Sequence, residues 1–140
     1  MYILLIIITL ILIGTIIISF SNKTSFEKDI FKKYGDNVKK IELLDSKNNN
    51  SKIIKDNDTI NKIIEDLFTI NMKKYDNEIP ENIEKIYYIG LYNEESLFIG
   101  LTLYDNKYIT IFVSNSSSSK TKTYRIRNNF NIDYINKLLK

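Results

Sequence analysis

The stretch from Ile83 to Asn115, IEKIYYIGLYNEESLFIGLTLYDNKYITIFVSN, decides the fold. Its apolar residues recur every second position over three runs of strand length, 83–92, 96–105 and 108–115. The breaks between them, NEE and NK, are polar, and Asp105-Asn106-Lys107 is good turn chemistry. A fourth run, KTKTYRIR at 120–127, follows the serine-rich tip Ser116–Ser119. Four short strands joined by tight turns predict an antiparallel meander.

The alternation also sorts the side chains into two unlike faces. Ile89, Leu91, Leu97, Ile99, Leu101 and Leu103, with Ile109, Ile111 and Val113 on the next run, form an aliphatic face. The other face is aromatic: Tyr88, Tyr92, Phe98, Tyr104, Tyr108 and Phe112 surround Gly90, Gly100, Thr102 and Thr110. The aliphatic face calls for a helical cover, and DNDTINKIIEDLF supplies one. Ile60, Ile63, Ile64, Leu67 and Phe68 fall at i, i+3, i+4, i+7 and i+8, with Asp58 as the expected N-cap.

Working outward, VKKIELLDSKNNNSKIIKD predicts a hairpin turning at Asn48-Asn49-Asn50. MKKYDNEIPEN, with the only proline, reads as a polar connection, and NFNIDYINKLLK as a short closing helix. NKTSFEKDIFKKYGDN predicts a short helix with Thr24 and Glu27 at capping-box spacing and Gly35 in a left-handed terminating conformation. The expected fold class is α+β, in the order ββ-α-ββββ-α, with helices mainly on one face of a small antiparallel sheet.

The chain opens with an uncharged run from Tyr2 to Phe20. Roughly 20 apolar residues are needed to cross a bilayer as a helix, and this run has that length. It is longer than the apolar region of a cleaved signal peptide and has no basic residue before it. The expectation is an uncleaved transmembrane helix, a signal anchor that makes the lipid bilayer the first partner through Tyr2 to Phe20. The expected division is an anchor over 1–21, a juxtamembrane connector over 22–36 and an α+β domain over 37–140. The lysine flank Lys23, Lys28, Lys32 and Lys33 points to a cytoplasmic domain under the positive-inside rule. The usual fate of a small domain behind such a leader points the other way. The reading adopted is a single-pass cell-membrane protein with an extracytoplasmic C-terminal domain.

Composition narrows the chemistry. With no His and no Cys in 140 residues, neither Ser-His-Asp nor Cys-His catalysis is possible within the chain, and the commonest transition-metal ligands are missing. The absence of Ala beside abundant Ile, Asn, Lys and Tyr is the imprint of AT-rich codons, so the lysines are not read as a selected basic surface. A net charge of +3 is too small to argue for nucleic acid, and none is expected as a partner. DNDTIN begins like a calcium loop, but Ile60 stands where a ligand is required. No metal and no cofactor are expected.

Two sets of residues remain as candidate sites. Tyr88, Tyr92, Phe98, Tyr104, Tyr108 and Phe112 present large, rigid contact area with polar tips, suited to a protein or cell-envelope partner. Against this stands the ordinary preference of aromatics for strands. Lys120, Lys122, Arg125 and Arg127, the last two being the only arginines, suit contact with an anionic surface. Basic residues are also a common defence of sheet edges. Glu81, Glu84, Glu94 and Glu95 supply carboxylates but no spacing that specifies glycoside hydrolysis.

The leader, IIKDNDTINKIIEDL and the closing YRI strand give the chain a resemblance to the uncharacterised small single-pass membrane proteins of low-G+C Gram-positive bacteria. That resemblance implies a span followed by a short α+β domain, and no activity. The functional expectation is a membrane-anchored, non-enzymatic interaction or sensing domain. The alternatives are a cytoplasm-facing regulatory or immunity-type protein and a carboxylate-based hydrolase.

Overall fold

The computed structural model describes residues 5–13, 23–35, 37–94, 96–115 and 118–140. Helix α1 covers residues 5–13. Among the described residues no helix is long and apolar enough to cross a membrane. The expected transmembrane anchor, the single-pass topology and the cell-membrane placement are corrected accordingly. The rest of the Tyr2–Phe20 run, residues 2–4 and 14–20, lies outside the described residues.

The centre of the molecule is one eight-stranded antiparallel sheet, which corrects the six strands of the expected order ββ-α-ββββ-α. Its strands are β1 (Lys23–Ser25), β2 (Lys40–Asp45), β3 (Asn50–Ile54), β4 (Asn71–Lys74), β5 (Ile86–Asn93), β6 (Ser96–Tyr104), β7 (Tyr108–Asn115) and β8 (Ser118–Ile126). They lie side by side as β1-β4-β8-β7-β6-β5-β2-β3. The meander β5–β8 forms the middle, and the β2–β3 hairpin extends it beyond β5. Two short strands were missed. Met72-Lys73-Lys74, read as connection, pairs with Ile126, Arg125 and Tyr124 of β8, and Lys23–Ser25 pairs with β4 in turn. Only Met72 of β4 is buried, so the segment carries too little apolar alternation to announce itself.

The turns follow their chemistry. Asp105 and Asn106 take positive φ (50° and 55°), and the Lys107 N–H donates to the Tyr104 carbonyl at 2.9 Å. Three strands separate β4 from β5, so residues 75–85 must run past β8, β7 and β6. Asp105 holds the end of that crossing: its carboxylate accepts the N–H of Glu84 at 3.1 Å and of Lys85 at 2.8 Å.

Helix α2 is a π-helical segment, Phe26–Phe31, running into the single turn Lys32–Tyr34. Its cap is shifted by one residue from the expected box, because Thr24 is engaged in β1. Ser25 Oγ accepts the Lys28 N–H at 3.3 Å, and Asp29 Oδ2 accepts the Ser25 N–H at 2.6 Å. Gly35 is extended (φ −69°) and not left-handed; a Cβ there would fall 2.4 Å from the Phe31 carbonyl oxygen. Helix α3 (Asn57–Phe68) is capped by Asp56, whose Oδ2 accepts the Thr59 N–H at 2.9 Å, in place of the expected Asp58. Helix α4 (Asp133–Leu138) closes the chain.

One core unites these elements. Phe26 and Ile30 of α2, Ile60, Ile63 and Leu67 of α3 and Ile135 of α4 are buried with Ile89, Leu101 and Ile111 of the sheet. The segment expected as a connector therefore contributes to the same core as the rest. Helices α2, α3 and α4 bury their apolar residues with one sheet face, and the Tyr/Phe face lies opposite.

Candidate functional site

The register places the residues of the open face in rows across the strands. One row reads Leu44, Tyr88, Thr102, Thr110 and Thr123; the next reads Glu42, Gly90, Gly100, Phe112 and Thr121. The two glycines sit side by side under the tyrosine rings. A Cβ at Gly90 would lie 2.9 Å from Tyr92 Cε2 and 3.0 Å from the Tyr88 hydroxyl, so these rings lie down over the backbone. Lacking side chains, the glycines let two large rings flatten onto the sheet face opposite helices α2, α3 and α4.

The rings are pinned from one side. Tyr92 donates its hydroxyl to Glu42 Oε2 at 2.7 Å, and Lys40 pairs with Glu42 Oε1 at 3.2 Å. The Lys40 ammonium also lies 4.1 Å from the centre of the Tyr92 ring. The hydrogen bond to Glu42 raises the Tyr92 pKa strongly, with burial adding to it, and the same bond lowers the Glu42 pKa. Burial raises that of Tyr88. These phenols are therefore neutral donors at neutral pH.

Five of the six expected aromatics share this face: Tyr88, Tyr92, Tyr104, Tyr108 and Phe112 are each half-buried. Tyr104 and Tyr108 are direct partners at the end of β6–β7, and Tyr75 lies against Tyr108 with ring centroids 4.8 Å apart. The sixth, Phe98, is different. Leu91 pairs with Ile99 but Tyr92 with Leu97, so Phe98 is the extra residue of a β-bulge, and it is buried with the core. Unbroken alternation cannot show a bulge, so the sequence counts Phe98 on the open face.

The four basic residues do not form one patch. Lys120 and Lys122 pair with Val113 and Ile111 and so occupy the face that carries the helices. Arg125 stands on the open face, between Tyr108 and Lys73 in register. Arg127 lies past the end of β8, beside a small cavity of about 270 Å³ that Lys28 and Asp29 also line. All four side chains are exposed.

Sequence reasoning missed a cleft of about 390 Å³ between α2 and the β7–β8 pair. Ile30, Ile111, Val113 and Tyr124 form its buried floor, and Lys28, Lys33, Lys120 and Lys122 stand around it. A signal for it was present in β8: positions 120, 122, 124 and 126 share one face and read Lys, Lys, Tyr, Ile. That face leaves the core halfway along the strand.

Among the described residues no three acidic side chains gather as metal ligands would. Glu94 sits in the β5–β6 turn with φ 50°, Glu81 and Glu84 are exposed, and Glu95 lies outside the described residues. Comparison with protein-family models, with curated proteins and with solved structures finds no match for this chain.

Proposed function

We propose that this protein is a non-enzymatic interaction domain that docks an acidic protein surface on the open face of its sheet. The observation that carries the reading is the inequality of the two faces: one lies under helices, while Tyr88, Tyr104, Tyr108 and Phe112 stay half-exposed on the other. Rigid aromatics with hydroxyl tips give much contact area for little lost side-chain freedom. Charge selects the partner. Glu42 is the only carboxylate the described strands place on this face, and Tyr92 and Lys40 already engage it. Arg125 and Lys73, neighbours in register and both exposed, leave the face positive.

The test places a photo-crosslinking residue at Thr102, in the middle of the face, and at Lys137 on α4 as control. The expected result is one discrete adduct from Thr102 with an acidic protein, absent from Lys137 and lost in a Lys73→Glu, Arg125→Glu variant. An adduct only with a second copy of this chain, one that survives the charge reversals, or no adduct at all overturns the reading.

A further inference from the structure

On the opposite side of the sheet, we propose that the cleft between α2 and β7–β8 binds a small organic phosphate, an apolar body of about one or two rings bearing a dianionic head. Sheet positions facing the helices are otherwise apolar along β7, where Ile111 and Val113 are buried. Their partners across the ladder are Lys122 and Lys120. Inward-pointing lysines guard exposed strand edges, and this part of β8 is such an edge, since β4 pairs only with Tyr124 to Ile126. Edge defence does not account for Lys28 and Lys33, which line the same cleft from α2.

Four ammonium groups around one concave surface repel one another unless an anion joins them. Among the described residues, none of the four is joined in an ion pair. Asp29 is the one carboxylate lining the cleft, and it accepts the Ser25 N–H. Four lysines against one aspartate leave a net charge of +3, most of which a dianion offsets, and lysine serves a phosphate as a mobile point charge. The floor sets the rest of the ligand. Ile30, Ile111 and Val113 are apolar, so a bare inorganic ion would leave them uncovered. Tyr34 and Tyr124 line the cleft as well and offer ring surface to a flat body. The volume of about 390 Å³ suits a molecule of that size.

The test titrates the full chain with 1-naphthyl phosphate, inorganic phosphate and 1-naphthol by calorimetry, and follows the methyl resonances of Ile111 and Val113. The expected result is one-site binding of 1-naphthyl phosphate that moves those methyls. Inorganic phosphate should bind at least about tenfold more weakly, and 1-naphthol should not saturate. Lys28→Glu and Lys122→Glu should each weaken 1-naphthyl phosphate by about tenfold or more. Both side chains are exposed, so the circular dichroism spectrum and melting temperature serve as controls for folding. The proposal is overturned by equal affinity in the variants, by inorganic phosphate binding as tightly, by shifts confined to the Phe112 face, or by no saturable binding.

Discussion

Tyr92 and Glu42 meet diagonally across the β2–β5 pair, hydroxyl to carboxylate at 2.7 Å, although their backbone partners are Lys40 and Gly90. This bond ties the edge hairpin to the meander and holds the Tyr92 ring flat over Gly90. Tyr92→Phe keeps the ring and removes the bond. It should cost about 1 kcal/mol, because the site is half-exposed and water replaces part of what is lost. That corresponds to a fall of roughly 2–5 °C in melting temperature.

The same pair predicts a pH signature. Glu42 has its pKa lowered from 4.5, so its bond contributes stability that is complete above pH 4.5 and disappears as the pH falls through the lowered value. Tyr92 has its pKa raised from 10.0, so its contribution is complete below pH 10 and declines as the pH rises above it. Denaturation of wild type and Tyr92→Phe at several pH values should show the largest gap between these limits. A gap that does not change with pH would remove the charged bond from the account.

Gly90 and Gly100 are direct partners, yet they should respond oppositely to alanine. At Gly90 the new methyl meets Tyr92 at 2.9 Å and Tyr88 at 3.0 Å, and the rings that must move are themselves pinned. A loss of about 1–3 kcal/mol is expected, in the range of overpacking. At Gly100 the nearest atoms are at 3.5 Å, an ordinary contact, and its φ is not positive. Gly100→Ala should be neutral or stabilising by about 0.5–1 kcal/mol, by restricting the unfolded chain. Urea denaturation of the two variants decides it, and equal losses would mean that the rings do not rest on Gly90.

Asp105 performs two tasks: it takes positive φ in the β6–β7 turn and clamps the amides of Glu84 and Lys85. Asp105→Ala removes the clamp and strains the turn, for an expected loss of about 1–2 kcal/mol. Asp105→Gly relieves the turn but not the clamp. Hydrogen exchange at Glu84 and Lys85 should accelerate in both variants, while the stability of the glycine variant recovers in part. Unchanged exchange at those two amides would mean that the crossing is held by something other than Asp105.

How far the fold was legible depended on the density of pattern. Strands β5 to β8 and helix α3 were readable because period two and period 3.6 each ran for several repeats. The turn at Asp105-Asn106 was readable because Asn and Asp tolerate positive φ. Strands β1 and β4 were not. Each is three or four residues long and is held by its neighbour's backbone, which side-chain periodicity does not record. The Tyr2–Phe20 run was read as a span from its apolar length alone, and among the described residues no helix is long and apolar enough to cross a membrane. Of the candidate site, the aromatic alternation could be read, but not the bulge at Phe98. The cleft combines α2 with β8, almost a hundred positions apart, and no local signal joins Lys28 to Lys122.

The start of α3 offers the sharpest contrast between pattern and geometry. Asp56 and Asp58 both precede Ile60, and either has the chemistry of a cap. The structure gives the task to Asp56, which is extended (φ −74°, ψ 125°) and accepts the Thr59 N–H, while Asp58 is already inside the first turn. Hydrogen bonds from the Thr59 side chain and then from its backbone N–H lower the pKa of Asp56 from 3.8. Asp56→Ala should therefore lower the melting temperature measurably at neutral pH, and the effect should fade as the pH falls below 3.8 and wild type loses the Asp56 charge. Asp58→Ala removes only a favourable charge near the helix N-terminus and should have the smaller effect, reduced further by salt. Asp56→Asn retains a cap acceptor and should recover most of the loss. Should Asp58→Ala prove the more damaging, the helix begins two residues later than its hydrogen bonds indicate.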